Sequence, residues 1–237
     1  MKLSKIFVLL CFIMLVCSTC FASDDDSRWV STGEFYDGME RLENQIDTQT
    51  IKYDATTNSV TGWIRSRYVG QSKFMSMSQV QIFLNSKTYR TINYYQLDQW
   101  GNYQKTGLSN YSTHLIYPDG SVEQIANIWC DANGSTRMYQ GGTNRWVWVY
   151  STDKYTCTVA QDTIRKDIKN HTVTFFILRK YLPDRYFPSG WETDDFIKCD
   201  LQNDTVAVWN DNASKWEAKG VLPDSTDEKL LNYAKGL

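Results

Sequence analysis

Histidine is almost missing from this chain: there are two in 237 residues, His114 and His171. They stand at unrelated points, and each reads as a turn or strand-end residue rather than as half of a shared metal or general-base site. A serine or cysteine nucleophile needs an oriented base beside it, and no G-x-S-x-G or cysteine-protease signature is present. No glycine-rich phosphate loop occurs, and no cysteine pair has metal-ligand spacing. The expectation is therefore a protein without catalytic residues, cofactor or metal. An excess of positive charge is also lacking, with 25 basic side chains against 27 acidic ones, which makes a nucleic-acid backbone a poor partner.

Long apolar runs are lacking too. The one extended run, from Ile6 to Val16, falls short of the roughly 20 residues a membrane-spanning helix needs. Lys2 and Lys5 precede it, and Cys20-Phe21-Ala22 follow as a small-residue exit before Asp24, Asp25 and Asp26. That is the layout of a secretory leader over residues 1–22, with cleavage before Ser23 and no membrane span in the mature chain. A lipid-modified cysteine is the alternative, since Cys17 and Cys20 lie near the exit, but neither has the leucine expected three residues earlier with a small residue just before it. Soluble export to the periplasm, cell surface or medium is the default expectation. Loss of the leader removes two lysines and no acids, leaving a net charge of −4.

What the sequence does contain is a repeat. Thr50-Ile51-Lys52-Tyr53-Asp54 lies over Thr163-Ile164-Arg165-Lys166-Asp167, and the same offset carries Val60-Thr61-Gly62-Trp63-Ile64 onto Val173-Thr174-Phe175-Phe176-Ile177. Seven of nineteen positions from Thr50 to Tyr68 are identical without a gap, where chance gives about one. Pro118-Asp119-Gly120-Ser121-Val122-Glu123 matches Pro223-Asp224-Ser225-Thr226-Asp227-Glu228, and Arg28-Trp29-Val30 recurs as Arg145-Trp146-Val147. The blocks keep their order, so the expected organisation is two tandem modules, over 23–135 and 140–237, joined in the Gly/Asn/Ser/Thr-rich stretch 131–144.

Trp146–Tyr150, Thr172–Leu178 and Thr88–Tyr95 are rich in aromatic and β-branched residues and predict strands. Asp54–Ser59 and Asp167–His171 predict hairpin turns, where Asp and Asn bond to their own backbone. Ser121 and Thr226 read as hydroxyl caps of a helix closing each module, with Leu230, Leu231 and Tyr233 as the second helix's apolar stripe. The expected fold class is α+β, each module an antiparallel β-sheet with a carboxy-terminal helix.

This order of elements resembles the surface-adhesin protein E family of bacterial exported proteins. The resemblance is carried by Trp29-Val30 and Trp146-Val147, the strand starts at Thr50 and Thr163, the strand ends at Tyr68 and Tyr181, and the helices after Pro118 and Pro223. It touches most of both modules and rests on order and repetition. It implies antiparallel strands with one helix, a place at the bacterial surface or in the periplasm, and in some members adhesion to host extracellular proteins. Members usually have one module, often with a disulfide from a central strand to the helix end. Here Cys130 ends the first helix without a strand partner in its own module, while the helix beyond Cys199 ends without a cysteine.

Three cysteines survive processing, so an oxidising compartment allows one internal bridge at most. Cys157–Cys199 would join two strands of the second module, Cys130–Cys157 would tie the joining stretch to it, and three unpaired thiols are the remaining alternative. The disulfide expectation is set on Cys157–Cys199.

Glu192, Asp194 and Asp195 form an acidic cluster beside Trp191, which reads as a solvated loop rather than a glycosidase carboxylate pair. Aromatic residues make up 14% of the chain. Two groups are candidate binding patches: Tyr94, Tyr95, Trp100, Tyr103 and Tyr111 in the first module, and Tyr186, Phe187 and Trp191 in the second. A sheet–helix core would claim many of the first group. The sequons at Asn110, Asn133, Asn170, Asn203 and Asn212 read as chance. The leading expectation is thus a non-enzymatic exported binding protein, an adhesin for host extracellular proteins, with an envelope-associated structural protein as alternative. The expected partner is a protein, either host extracellular or an envelope component.

Overall fold

The computed structural model describes residues 26–37, 40–98, 100–106, 112–139, 144–188, 190–211 and 213–237. The leader, Tyr111, Ser189, Asn110, Asn212 and residues 140–143 of the joining stretch lie outside them.

Alternation of apolar residues places the helix-facing side of each sheet in a core. The first half runs β1 (Trp29–Asp37), β2 (Glu40–Asp47), β3 (Lys52–Asp54), β4 (Ser59–Tyr68), β5 (Ser76–Phe83), β6 (Thr88–Leu97), β7 (Tyr103–Lys105), β8 (His114–Leu115) and helix α1 (Ser121–Ala132). Its sheet order is β1-β2-β4-β5-β6-β7, with β3 paired to β4 and β8 to β6. The second half runs β9 (Trp146–Ser151), β10 (Tyr155–Ala160), β11 (Arg165–Asp167), β12 (Thr172–Tyr181), β13 (Trp191–Asp200), β14 (Thr205–Asn210), β15 (Lys215–Gly220) and helix α2 (Thr226–Lys235). Its order is β9-β10-β12-β13-β14-β15, with β11 paired to β12. Every pairing in both sheets is antiparallel. The two-sheet layout fits two tandem modules.

The halves agree at finer grain. Asn58 and His171, Lys87 and Asp204, and Asp119 and Asp224 are matched turn residues, all with positive φ between 46° and 65°. The Arg28 and Arg145 carbonyls accept from Thr48 N–H and Gln161 N–H, each at 2.9 Å. Glu123 and Glu228 reach back to the N–H of Asp119 and Asp224.

One helix-start reading needs correcting. The caps are Gly120 and Ser225, one residue before Ser121 and Thr226. The Ser225 hydroxyl accepts from Glu228 N–H at 3.2 Å, as a cap should. Ser121 instead turns to Thr32 and Asn44. The acidic cluster is not a loop either, because Glu192, Asp194 and Asp195 lie on β13.

The expected Cys157–Cys199 bridge is absent: both thiols are buried and free, as is Cys130. Cys157 pairs with Arg179 and Cys199 with Val173, both on the intervening strand β12. Six residues along a strand is on the order of 20 Å, far beyond disulfide reach. Burial pushes all three thiols up, Cys199 to about 12, so the reactive thiolate is scarce.

Helix α1 lies over β2, β4 and β5, and α2 over β9, β13 and β14. On β12, Phe175 faces the α2 side, in a core with Ile177, Ile197 and Leu230. Its neighbour Phe176 points the other way and enters the first half's core with Ile125, Ile116 and Tyr139. The layers therefore run sheet, helix, sheet, helix. Arg145, whose side chain is 3% exposed, locks the joint. Its guanidinium donates to Asp119 (2.6 Å), to both oxygens of Glu123 (3.0 and 3.1 Å) and to Asp162 (3.1 Å). Trp146 Nε1 adds a bond to Asp119 at 2.8 Å. Burial works against the charge of Arg145, but the Glu123 carboxylate outweighs it and holds the guanidinium's pKa up.

Candidate functional site

Two aromatic tips stand out of the fold, and each is braced by one aspartate. At the β6–β7 turn, Asp98 Oδ1 accepts from the N–H groups of Trp100 (2.9 Å) and Asn102 (2.8 Å), leaving the Trp100 side chain in solvent. Trp100 is 76% exposed. In the β12–β13 loop, Asp184 Oδ1 accepts from Tyr186 and Phe187 N–H, both at 2.7 Å, and Tyr186 is 62% exposed. The backbone hydrogen bonds hold the Asp98 carboxyl below the usual range. Gly190 closes the second loop: its φ is +73°, and a Cβ there would sit 2.5 Å from the Tyr181 carbonyl oxygen.

The remaining candidates divide around these tips. Phe187 and Trp191 are half-buried and form the base of the second tip. Trp191 stacks on Tyr181 at 3.9 Å and 11°, and Tyr155 continues the row at 4.9 Å. Tyr103 is exposed on β7, where its hydroxyl donates to the Phe74 carbonyl. Tyr94 and Tyr95 do not share a face, being consecutive strand residues. Tyr95 packs with Trp63 at 5.9 Å on the outer face, and Tyr94 points to the α1 side beside Gln96.

Sequence reasoning missed a cleft of about 290 Å³ between the first sheet and the start of α1. Asn44, Ser66, Ser78, Thr91, Tyr117 and Ser121 supply its polar lining, and no acidic or basic side chain takes part. Ser66 Oγ bonds Asn44 Oδ1 at 2.5 Å, and Asn44 Nδ2 donates to Ser121 Oγ at 3.0 Å. The matching positions of the second half are Cys157, Arg179 and Asp195 in place of Asn44, Ser66 and Ser78. There an Arg179–Asp195 ion pair fills the space. Burial opposes that charge as well, and Asp195 overrides it. The signal available in the sequence was this substitution inside the repeat, small hydroxyls against an acid–base pair.

Asp194 lies on the opposite face of β13 from Asp195. It keeps an exposed surface, yet desolvation in the joint, followed by Glu192, Asp195 and Asp119, pushes its carboxyl up to about 7. Water on its open side screens part of that push. Among the described residues, no group of three or more His, Cys, Asp and Glu is placed to hold a metal. Among them too, no helix is long and apolar enough to cross a membrane.

No protein-family model matches the chain, and neither curated proteins nor solved structures match it.

Proposed function

We propose that this chain is a non-enzymatic exported binding protein, at the cell surface or in the periplasm, built as two tandem modules of adhesin-E-like order and acting as an adhesin. Its partner is a protein, and the contacts are Trp100 with Tyr103 on one tip and Tyr186, over Phe187 and Trp191, on the other. The observation that carries this reading is the aspartate brace. An exposed ring normally loses conformational freedom on binding, and a turn already fixed by two backbone hydrogen bonds reduces that loss. A single ring on a convex tip suits a pocket in a protein surface, where buried Trp and Tyr anchors dominate affinity.

The test is titration of the purified chain against immobilised extracellular-matrix proteins. Trp100→Ala and Tyr186→Ala each weaken binding by about tenfold or more, while Asp98→Ala and Asp184→Ala, which keep the rings, weaken it by less. Unchanged affinity in both ring variants, with the circular dichroism melt intact, contradicts the assignment.

A further inference from the structure

The helix-facing side of the first sheet carries a polar row across four strands. Asn44 on β2 stands opposite Ser66 on β4, Ser78 on β5 stands opposite Ile64, and Thr91 on β6 stands opposite Val80. All four polar residues line the cleft beside the start of α1. They divide into two sets. Asn44 is held at both atoms of its amide, accepting from Ser66 Oγ at 2.5 Å and donating to Ser121 Oγ at 3.0 Å, and Thr32 Oγ1 closes that set on Ser121 at 2.8 Å. The hydroxyls of Ser78, Thr91 and Tyr117, by contrast, have no hydrogen-bond partner among the described residues. A hydroxyl both donates and accepts, so these three hold unused capacity of both kinds.

The second half shows what the same space looks like when it is closed. There the Arg179–Asp195 ion pair fills it, Val208 stands opposite Ile197 where Thr91 stands opposite Val80, and Leu222 precedes Pro223 where Tyr117 precedes Pro118. The half that lost the space also lacks the free hydroxyls. In the first half the rest of the lining is apolar, with Ile64, Val80 and Leu115 beside the rings of Tyr89 and Tyr117. A volume of about 290 Å³ lies at the lower end of ligand pockets, roughly 300–1,000 Å³, and suits one ring rather than an oligomer.

Charge narrows the choice. With no ionic side chain in the lining, a charged ligand would surrender its hydration without a counter-ion. An anion is the worst case, because Asp211, Asp195 and Asp194 lie near enough to Tyr117 to add to the effect of burial in pushing its hydroxyl up. A wholly apolar ligand fails for the opposite reason, since it would strip water from three unpaired hydroxyls.

We propose that this cleft is a binding site for one neutral sugar ring, whose neighbouring hydroxyls bond to Ser78, Thr91 and Tyr117 while its C–H face lies on the apolar wall. Asn44, fixed by Ser66 and Ser121, keeps the floor of the site in place before the ligand arrives. Neither Trp100 nor Tyr186 lines the cleft, so the site is independent of the two aromatic tips. A few hydrogen bonds and one ring face give a dissociation constant on the order of 1 mM.

The test is titration of the purified, isotope-labelled chain with glucose, galactose and N-acetylglucosamine, followed by the backbone amide signals, with glucuronate as the anionic comparison. At least one neutral sugar shifts the signals of Ser66, Ser78, Thr91 and Ser121, and glucuronate binds about tenfold more weakly or worse. Ser66→Arg with Ser78→Asp, which copies the ion pair of the second half, abolishes the binding. Thr91→Val keeps the shape and removes one hydroxyl, so it weakens binding about threefold to tenfold and serves alone should the filled variant fail to fold. Trp100→Ala with Tyr186→Ala leaves the sugar titration unchanged. The proposal is overturned if none of the three sugars shifts the cleft signals at about 50 mM, if glucuronate binds as well as they do, or if Thr91→Val or a folded filled variant binds like the wild type.

Discussion

Small side chains at two positions open the first half where the second is filled. Ser66 and Ser78 stand where Arg179 and Asp195 pair across the equivalent space. Introducing only Ser66→Arg places a cation over a cleft lined by neutral groups, whereas adding Ser78→Asp supplies the counter-charge. The double variant is therefore more stable than the two single changes add up to, by at least about 1 kcal/mol, as read from denaturant midpoints. Strict additivity shows that the two halves do not use these positions alike.

Asp194 gives a second residue-scale prediction. Its folded-state pKa, about 7, lies above the ordinary carboxylate value. Between about pH 4 and pH 7 the folded chain keeps a proton that the unfolded chain has released, so stability falls as pH rises through that window. Asp194→Asn removes the loss. The variant melts higher than the wild type near pH 8, and the difference disappears near pH 3.5. Equal melting at both pH values shows that the carboxyl is not perturbed.

Among the elements, the two helices show how similar sequence ends in different local chemistry. Ser225 caps α2, whereas α1 begins at Gly120 without a side-chain cap, and Ser121 is drawn into the cleft by Asn44 and Thr32. A hydroxyl followed by an acidic turn predicts a cap to within one residue, and tertiary partners decide which hydroxyl serves. Gly62 shows the same division. A Cβ there would meet Ile125 Cγ2 at 2.8 Å, so α1 rides directly on the strand, whereas Phe175 occupies the matching place under α2. The joint rests on Arg145. Arg145→Ala leaves Glu123 buried without its counter-ion and destabilises the fold by about 3–5 kcal/mol, measured by chemical denaturation. A loss below about 1 kcal/mol places the strength of the joint in its apolar contacts instead.

For the whole molecule, the strands at Thr88–Leu97, Trp146–Ser151 and Thr172–Tyr181, two hairpin turns and the helix closing each half were legible because residue type and turn chemistry are local signals. Asp54, Asn58 and His171 announce their turns directly. The stacking of the second sheet on α1 was not legible. Phe176 and Phe196 read as ordinary strand residues, and nothing near them in sequence says that their face is covered by Tyr117 and Tyr139. The disulfide expectation failed for a related reason: two cysteines on strands of one sheet are bridged only in the right register, and register is set by pairing with the strand between them. Of the candidate site, Trp100 and Tyr186 were legible from their Gly- and Pro-flanked loops. The cleft was hidden because small hydroxyl residues in a strand carry no warning of the space they leave.

The most direct test of the binding reading is a pull-down with the purified chain against extracellular-matrix proteins and a detergent extract of its own envelope, run in parallel with a Trp100→Ala/Tyr186→Ala double variant. The account predicts that the wild type retains a matrix protein, identified by mass spectrometry, and that the double variant releases it. Retention of envelope proteins alone, or equal retention by the double variant, contradicts it.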